Sequence, residues 1–243
     1  MTDIKTAIVA ANPKKSWSRK LGVQVISFLK QKKVKIAVVA SAQLAICIGG
    51  DGTLLFNKRH YGKVLFGIGS SHSYICQATK NNWKSRLAKF LKNPKTSQRL
   101  VLSSSLNGKK LPAALNDIAI KTSCHRILSL LLGCNFGKGK TKRTNFLADG
   151  VVFSTPTGSS AYAYSCGGMD MKADSKAFQI VAIAPYRRAF QPSIVPSAAK
   201  CTLKVSSQCA TELVLDGQLV LAVKNGSILR VWASKKPVLF AEI

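Results

Sequence analysis

The sequence predicts an α/β domain followed by an all-β domain, and three observations predict it. Short β-branched runs alternate with amphipathic stretches up to about residue 98. Strand-like runs without intervening helices then take over. The dipeptides Asn107-Gly108, Asp216-Gly217 and Asn225-Gly226 punctuate this second part as turns.

In the first part, Thr6–Ala10, Val34–Ala40, Leu44–Ile48 and Val64–Ile68 are apolar runs of strand length. Trp17, Leu21, Val25 and Phe28 recur at helical spacing, as do Trp83, Leu87, Phe90 and Leu91. Strands alternating with helices predict a parallel sheet. Beyond residue 98, Arg99–Leu106 and Leu111–Ile120 flank Asn107-Gly108, a strong hairpin signal. Further strand-like runs lie at Ile127–Cys134, Gly150–Ser154, Phe178–Ala184, Cys201–Val205 and Glu212–Leu215. Leu219–Val223, Ser227–Trp232 and Val238–Phe240 complete the series. Together they read as antiparallel β, either a sandwich or an irregular barrel. Gly137–Arg143 (GKGKTKR) reads as a solvated basic loop.

Of the 243 residues, 47% are hydrophobic, which excludes disorder by composition. No apolar run reaches the ~20 residues of a bilayer-spanning helix. The apolar stretch after Asp3 and Lys5 is too short for a signal-peptide core. Seven cysteines without a Cys-x-x-Cys predict neither a disulfide framework nor a zinc ribbon, and with that a cytoplasmic protein. The net charge of +28, from 37 basic and 9 acidic residues, favours polyanions: nucleic acid, phosphorylated metabolites, polyphosphate or acidic membrane surfaces.

Two strings carry chemistry. Ile46–Leu54 runs from an apolar strand through Gly49-Gly50-Asp51-Gly52-Thr53 into an apolar helical stretch. Three glycines let backbone N–H groups approach a phosphate closely. One carboxylate inside such a cradle suits a base for an attacking hydroxyl, or a holder of Mg²⁺. A plain strand-to-helix turn is the alternative reading. Farther on, Asp149–Gly168 joins a strand to the hydroxyl-rich turn Ser154-Thr155-Pro156-Thr157-Gly158-Ser159-Ser160 and then to Ala161-Tyr162. Clustered hydroxyls suit a polyhydroxylated or phosphorylated ligand.

With Leu115-Asn116-Asp117 between them and Asp216-Gly217-Gln218 after them, these strings resemble the NAD kinase family in order and spacing. The resemblance runs from about residue 4 to residue 240 and is specific in the STPTGSSAY string. It implies an N-terminal α/β (Rossmann-like) domain over 1–98, completed by a returning segment 226–243, and a β-sandwich NAD-binding domain over 99–225. It implies that ATP, or polyphosphate, phosphorylates the adenosine ribose 2′-hydroxyl of NAD. Asp51 would be the catalytic residue, and Gly49, Gly50, Gly52 and Thr53 the phosphate-donor loop. NAD would meet Asp51, Gly52, Asn116, Asp117 and Asp149, the last often across a subunit interface. It would also meet Ser160, Ala161, Tyr162, Ala163, Tyr164 and Ser165, with His125, Ala184 and Gln218 near positions that touch the dinucleotide in relatives. Mg²⁺ or another divalent metal would come with the nucleotide, without a metal site of the protein. The assembly would be a homodimer or homotetramer, with neither membrane nor nucleic acid as partner. A lipid kinase sharing the GGDGT loop and a basic nucleic-acid-binding module on a kinase-like fold are the rival readings.

The sequence also departs from the family pattern. Gly69–Cys76 lacks the two glycines of a Gly-x-Leu-Gly-Phe segment, Asp117 stands where Glu is common, and Leu147 replaces a basic residue. Tyr186-Arg187-Arg188-Ala189 replaces a His-Thr-Leu-Ser-type segment.

Overall fold

The computed structural model describes residues 3–57, 63–137 and 141–243. It divides into two compact units, residues 1–98 with 237–243, and residues 99–236.

In the first unit, β1 (Thr6–Ala11), β2 (Lys35–Ile36), β3 (Leu44–Ile48), β4 (Val64–Gly69), β5 (Ala78–Thr79), β6 (Lys95–Arg99) and β19 (Val238–Glu242) form one sheet. The order is β2-β1-β3-β4-β19-β6, with β5 also on β4, and β1, β3, β4 and β19 pair in parallel. β3 and β4 are buried at every residue, which is why they read as unbroken apolar runs. Helix α1 (Ser16–Gln31) buries Leu21, Val25, Phe28 and Leu29, and α3 (Trp83–Lys92) buries Trp83, Leu87 and Phe90. Phe28 meets Trp83 edge-on, with ring centroids 5.5 Å apart. Each such fully buried large side chain stabilises the fold by about 1.5–3 kcal/mol.

The second unit is a sandwich of two antiparallel sheets, which decides against the barrel. One sheet runs β11 (Thr141–Ala148), β10 (Leu128–Asn135), β15 (Lys200–Ser206), β18 (Ile228–Ala233), β7 (Leu102–Leu106) and β8 (Lys109–Lys110). The other runs β14 (Ser193–Pro196), β13 (Ala177–Ile183), β12 (Gly150–Ser154), β9 (Asp117–Thr122), β16 (Thr211–Leu215) and β17 (Leu219–Val223). Alternate residues of both sheets, among them Leu130, Leu203 and Val231 from one and Ile120, Phe153 and Phe178 from the other, fill the core. A smaller cluster of Ala119, Val152, Val181 and Ala163 seats the short helix α4 (Tyr162–Ser165) on the second sheet.

Several expectations need correction. The chain was expected to return to the first unit from residue 226, but β18 pairs with β15 and β7 inside the sandwich and only β19 crosses back. Val34–Ala40 yields a two-residue edge strand, because Val38 is 71% exposed and finds no sheet face to cover. Asn107 and Gly108 do turn a hairpin with positive φ, yet its second strand is only Lys109–Lys110. The following residues cross to the other sheet, where β9 begins. The supposed basic loop is partly strand: Thr141–Arg143 open β11, with Arg143 opposite Gly133. Lys138 and Lys140 lie outside the described residues.

The cysteines also depart from expectation. Cys124–Cys209 and Cys134–Cys201 are disulfide-bonded, the second directly across β10 and β15. The pairing joins residues 85 and 67 positions apart, which no sequence spacing discloses. Closing the longer span should stabilise the fold by about 2–4 kcal/mol. A reducing agent should therefore lower the Tm of the oxidised protein, and Cys124→Ser should reproduce the drop. Identical melting with and without reductant would contradict it.

Candidate active site

In the first unit, the buried strand β3 delivers the chain to a turn that only glycine allows. Gly49 and Gly50 have φ of 144° and 102°, and a Cβ on Gly49 would collide with Thr53 Oγ1 and lie 2.7 Å from Asn12 Cβ. Asp51 then opens helix α2 (Asp51–Phe56). Its carboxylate accepts the backbone N–H of Tyr74 at 2.8 Å and of Ile75 at 3.2 Å. Both donors come from the loop that lacks the expected glycines. That loop folds down because β4 is bare beneath it: a Cβ on Gly67 would lie 2.9 Å from Cys76 Sγ. Burial, and then the Asp51 carboxylate, push the Cys76 thiol far above its ordinary range, so it stays protonated.

Sequence reasoning missed two residues here. Asn12 Nδ2 donates to Thr53 Oγ1 at 3.0 Å, and the Lys15 ammonium donates to the Gly49 carbonyl at 2.7 Å. Lys15 thus brings a positive charge to the glycine loop. Its position in the Asn12–Lys15 segment, the turn between β1 and α1, was the available signal.

In the second unit, Asn116, Asp117 and the Ser154–Ser165 string meet at one end of the second sheet, where β9 begins and β12 ends. Thr155 N–H donates to the Asn116 carbonyl at 2.8 Å, and Thr155 Oγ1 to the Leu115 carbonyl at 2.5 Å. Gly158 rides directly on the Asn116 backbone, where a Cβ would lie 2.6 Å from both C and Cα. The Asp216-Gly217-Gln218 turn closes the same end, because Leu215 pairs with Ile118. Ser160, Ala161, Tyr162, Tyr164 and Ser165 are exposed beside it, while Ala163 is buried as the anchor of α4. Burial, followed by the Cys166 sulfur, raises the Tyr162 phenol above its usual range. Asn116 Oδ1 and Thr157 Oγ1 are buried without a hydrogen-bond partner. Leaving such atoms unmet costs about 1–3 kcal/mol each.

Three expected contacts are not brought to this end. Asp149 precedes β12, Ala184 follows β13, and His125 lies in the loop after β9. In the antiparallel register Gly150 sits opposite Ile183 and Lys121, so all three gather at the opposite end of the sheet. Five residues of β12 separate the two ends, roughly 15 Å at the usual strand rise.

Among the described residues no group of three or more His, Cys, Asp or Glu side chains could hold a metal. At the glycine loop the acid is Asp51 alone, which suits Mg²⁺ held chiefly by substrate phosphates with one protein carboxylate.

An α/β unit ending a buried strand in Gly-Gly-Asp-Gly-Thr, in one chain with a β-sandwich unit that carries a hydroxyl-rich turn, is the build of a small-molecule kinase. The family profile described as ATP-NAD kinase C-terminal domain matches residues 115–243. An NAD kinase of Treponema denticola is 30% identical over 213 residues, covering 82% of this chain and 72% of that one. One from Methanosarcina barkeri is 29% identical over 205 residues, covering 83% and 74%. Among solved structures, yeast NADH kinase complexed with NADH superimposes with a TM-score of 0.85 at 18% identity, over 100% of this chain and 84% of that one. The NAD kinase from Archaeoglobus fulgidus in complex with ATP gives 0.81 at 21% identity, over 98% and 93%. The chain belongs to the NAD kinase family. The lipid-kinase and nucleic-acid readings are not favoured.

Proposed function

We propose that this chain transfers the terminal phosphoryl group of ATP, or of inorganic polyphosphate, to the adenosine ribose 2′-hydroxyl of NAD, giving NADP. The observation that carries the reading is a single carboxylate, Asp51, fixed by two backbone N–H groups at the edge of a loop with no side chains of its own at Gly49 and Gly50. Each Asp51 oxygen keeps a further lone pair after accepting its backbone donor. One of these takes the hydroxyl proton as the ribose oxygen bonds to phosphorus and the bond to the leaving phosphate breaks. The glycine-loop amides and Lys15 supply positive charge for the transferring group. Mg²⁺ would come with the nucleotide and, when bound, neutralise phosphate charge, with Asp51 the acid of the glycine loop next to it.

Asn116, Asp117, Gly52, Ser160 to Ser165 and Gln218 are assigned to the dinucleotide. Asp149, His125 and Ala184 are assigned to it from a second subunit of a homodimer or homotetramer, which is consistent with their place at the far end of the sheet. Sedimentation at micromolar protein tests this, and a monomer would refute it. A cytoplasmic location belongs to the same proposal. Recovery of Cys124 and Cys209 as disulfide from acid-quenched cells would argue against it.

The deciding assay is NADP⁺ formation from NAD, ATP and Mg²⁺. Absence of product from folded protein would refute the reading. If the +28 field gathers two anionic substrates, kcat/KM falls as salt rises, because distant charges act only within a screening length of ~8 Å at physiological salt. kcat itself should move little. A kcat/KM that stays flat from low to high salt would mean the basic surplus serves something else.

A further inference from the structure

We infer that Asp216 is a positioning residue, whose buried carboxylate fixes the Asn116-Asp117 segment for the dinucleotide. This rests on the assignment of that segment to NAD made above. Asp216 is 3% exposed, and its carboxylate accepts three backbone N–H groups from residues about a hundred positions earlier. Oδ1 takes those of Asn116 at 2.8 Å and Asp117 at 3.1 Å, and Oδ2 takes that of Leu115 at 3.0 Å. The Asp216 N–H in turn donates to the Asp117 carbonyl at 3.0 Å.

Thr155 holds the carbonyls of Leu115 and Asn116. Every backbone polar group of residues 115–117 therefore has a partner in either Asp216 or Thr155. What is left over is the Asn116 side chain, whose Oδ1 is buried and unmet. A segment this completely tied is held in one conformation before any ligand arrives, which removes an ordering cost from binding.

The backbone at Asp216 supports a dedicated role. Its φ is +50°, a region that side chains other than Asn and Asp seldom occupy. Only a carboxylate can serve all three amides there. Asparagine tolerates the same φ and has nearly the same volume, but it has one acceptor oxygen and would turn an N–H₂ toward the Leu115 N–H.

Asp216→Asn is therefore the test, read in two ways. Without NAD, hydrogen exchange at the amides of residues 115–117 should speed up by ~10-fold or more, as a charge-assisted bond is lost. In the assay, KM for NAD should rise ~10-fold while kcat at saturating NAD stays within about threefold. Asn107→Ala is the matched control. It removes two comparable long-range bonds, to Ser227 Oγ and from Ile228 N–H, at a turn of the same unit. It should lower Tm without moving KM. Faster exchange together with the raised KM supports the inference. Exchange and KM both unchanged overturns it, as does a raised KM with unchanged exchange, which would mean Asp216 meets NAD directly. Faster exchange with unchanged KM shows the tie but removes Asn116-Asp117 from the NAD site, so the positioning role falls with that assignment. If Asp216→Asn is not recovered folded, Thr155→Val, which unties the opposite side of the segment, must give the same pair of changes. A wild-type protein with no NAD kinase activity would refute the proposed function, while the exchange measurement still reads the tie.

Discussion

Asp51→Asn is expected to lower kcat for NADP formation by ~10²-fold or more, the range for loss of a general base. The reason is local. Asparagine keeps one acceptor for the Tyr74 or Ile75 N–H, so the loop stays folded over β4, but it cannot take a proton from the attacking hydroxyl at neutral pH. KM for NAD should change far less, and Tm should stay near that of the parent. Steady-state kinetics with NAD varied at saturating ATP and Mg²⁺ separate the two constants. A variant with near-normal kcat would remove Asp51 from the chemistry.

Gly158→Ala is expected to be nearly as damaging, for a steric reason. The new methyl would lie 2.6 Å from C and Cα of Asn116 and closer still to its carbonyl oxygen. Backbone held on both sides by Thr155 and Asp216 cannot step aside. Overpacking of this kind costs about 1–3 kcal/mol. The displaced Asn116 should raise KM for NAD by ~10-fold or more, because a shift of about 1 Å in a positioning group is felt strongly in catalysis. Gly226→Ala provides the contrast: φ there is +77° with nothing within 4 Å of the added Cβ, so it strains a turn without touching a neighbour. Its KM should match the parent's. An equal KM for Gly158→Ala would show that Asn116 does not hold the dinucleotide.

Much of this was legible in the sequence, and the parts that were not share physical causes. β3 and β4 are buried on both faces and advertise themselves as apolar runs. β11 does not, because it is an edge strand whose first three residues, Thr141, Lys142 and Arg143, are exposed and read as loop. β14 is framed by prolines, Pro192 and Pro196, which lower any strand reading. The glycine loop and the hydroxyl-rich turn were readable because their chemistry is contiguous in the chain. The Asp216 tie was not, since its acceptor and its three donors lie about a hundred residues apart. Nor could the sequence show that Asp149 and Asn116 sit at opposite ends of one sheet, which follows from strand direction alone.

The crossing of β19 bears on how the polypeptide is made. β19 lies between β4 and β6 in the first unit's sheet, yet it is synthesised only after the whole sandwich. Residues 1–98 therefore leave the ribosome with a vacant slot in the sheet and with β6 lacking its neighbour. The sandwich, whose twelve strands all lie between residues 102 and 233, can close first, and the earlier half waits for its last strand. Such a long-range closure is slow, and it leaves an open edge exposed to misassembly in the meantime. A chain ending at Lys236, which keeps every strand of the sandwich and lacks only β19, should carry a protease-resistant sandwich and a protease-sensitive first unit, whereas the full chain should be resistant in both.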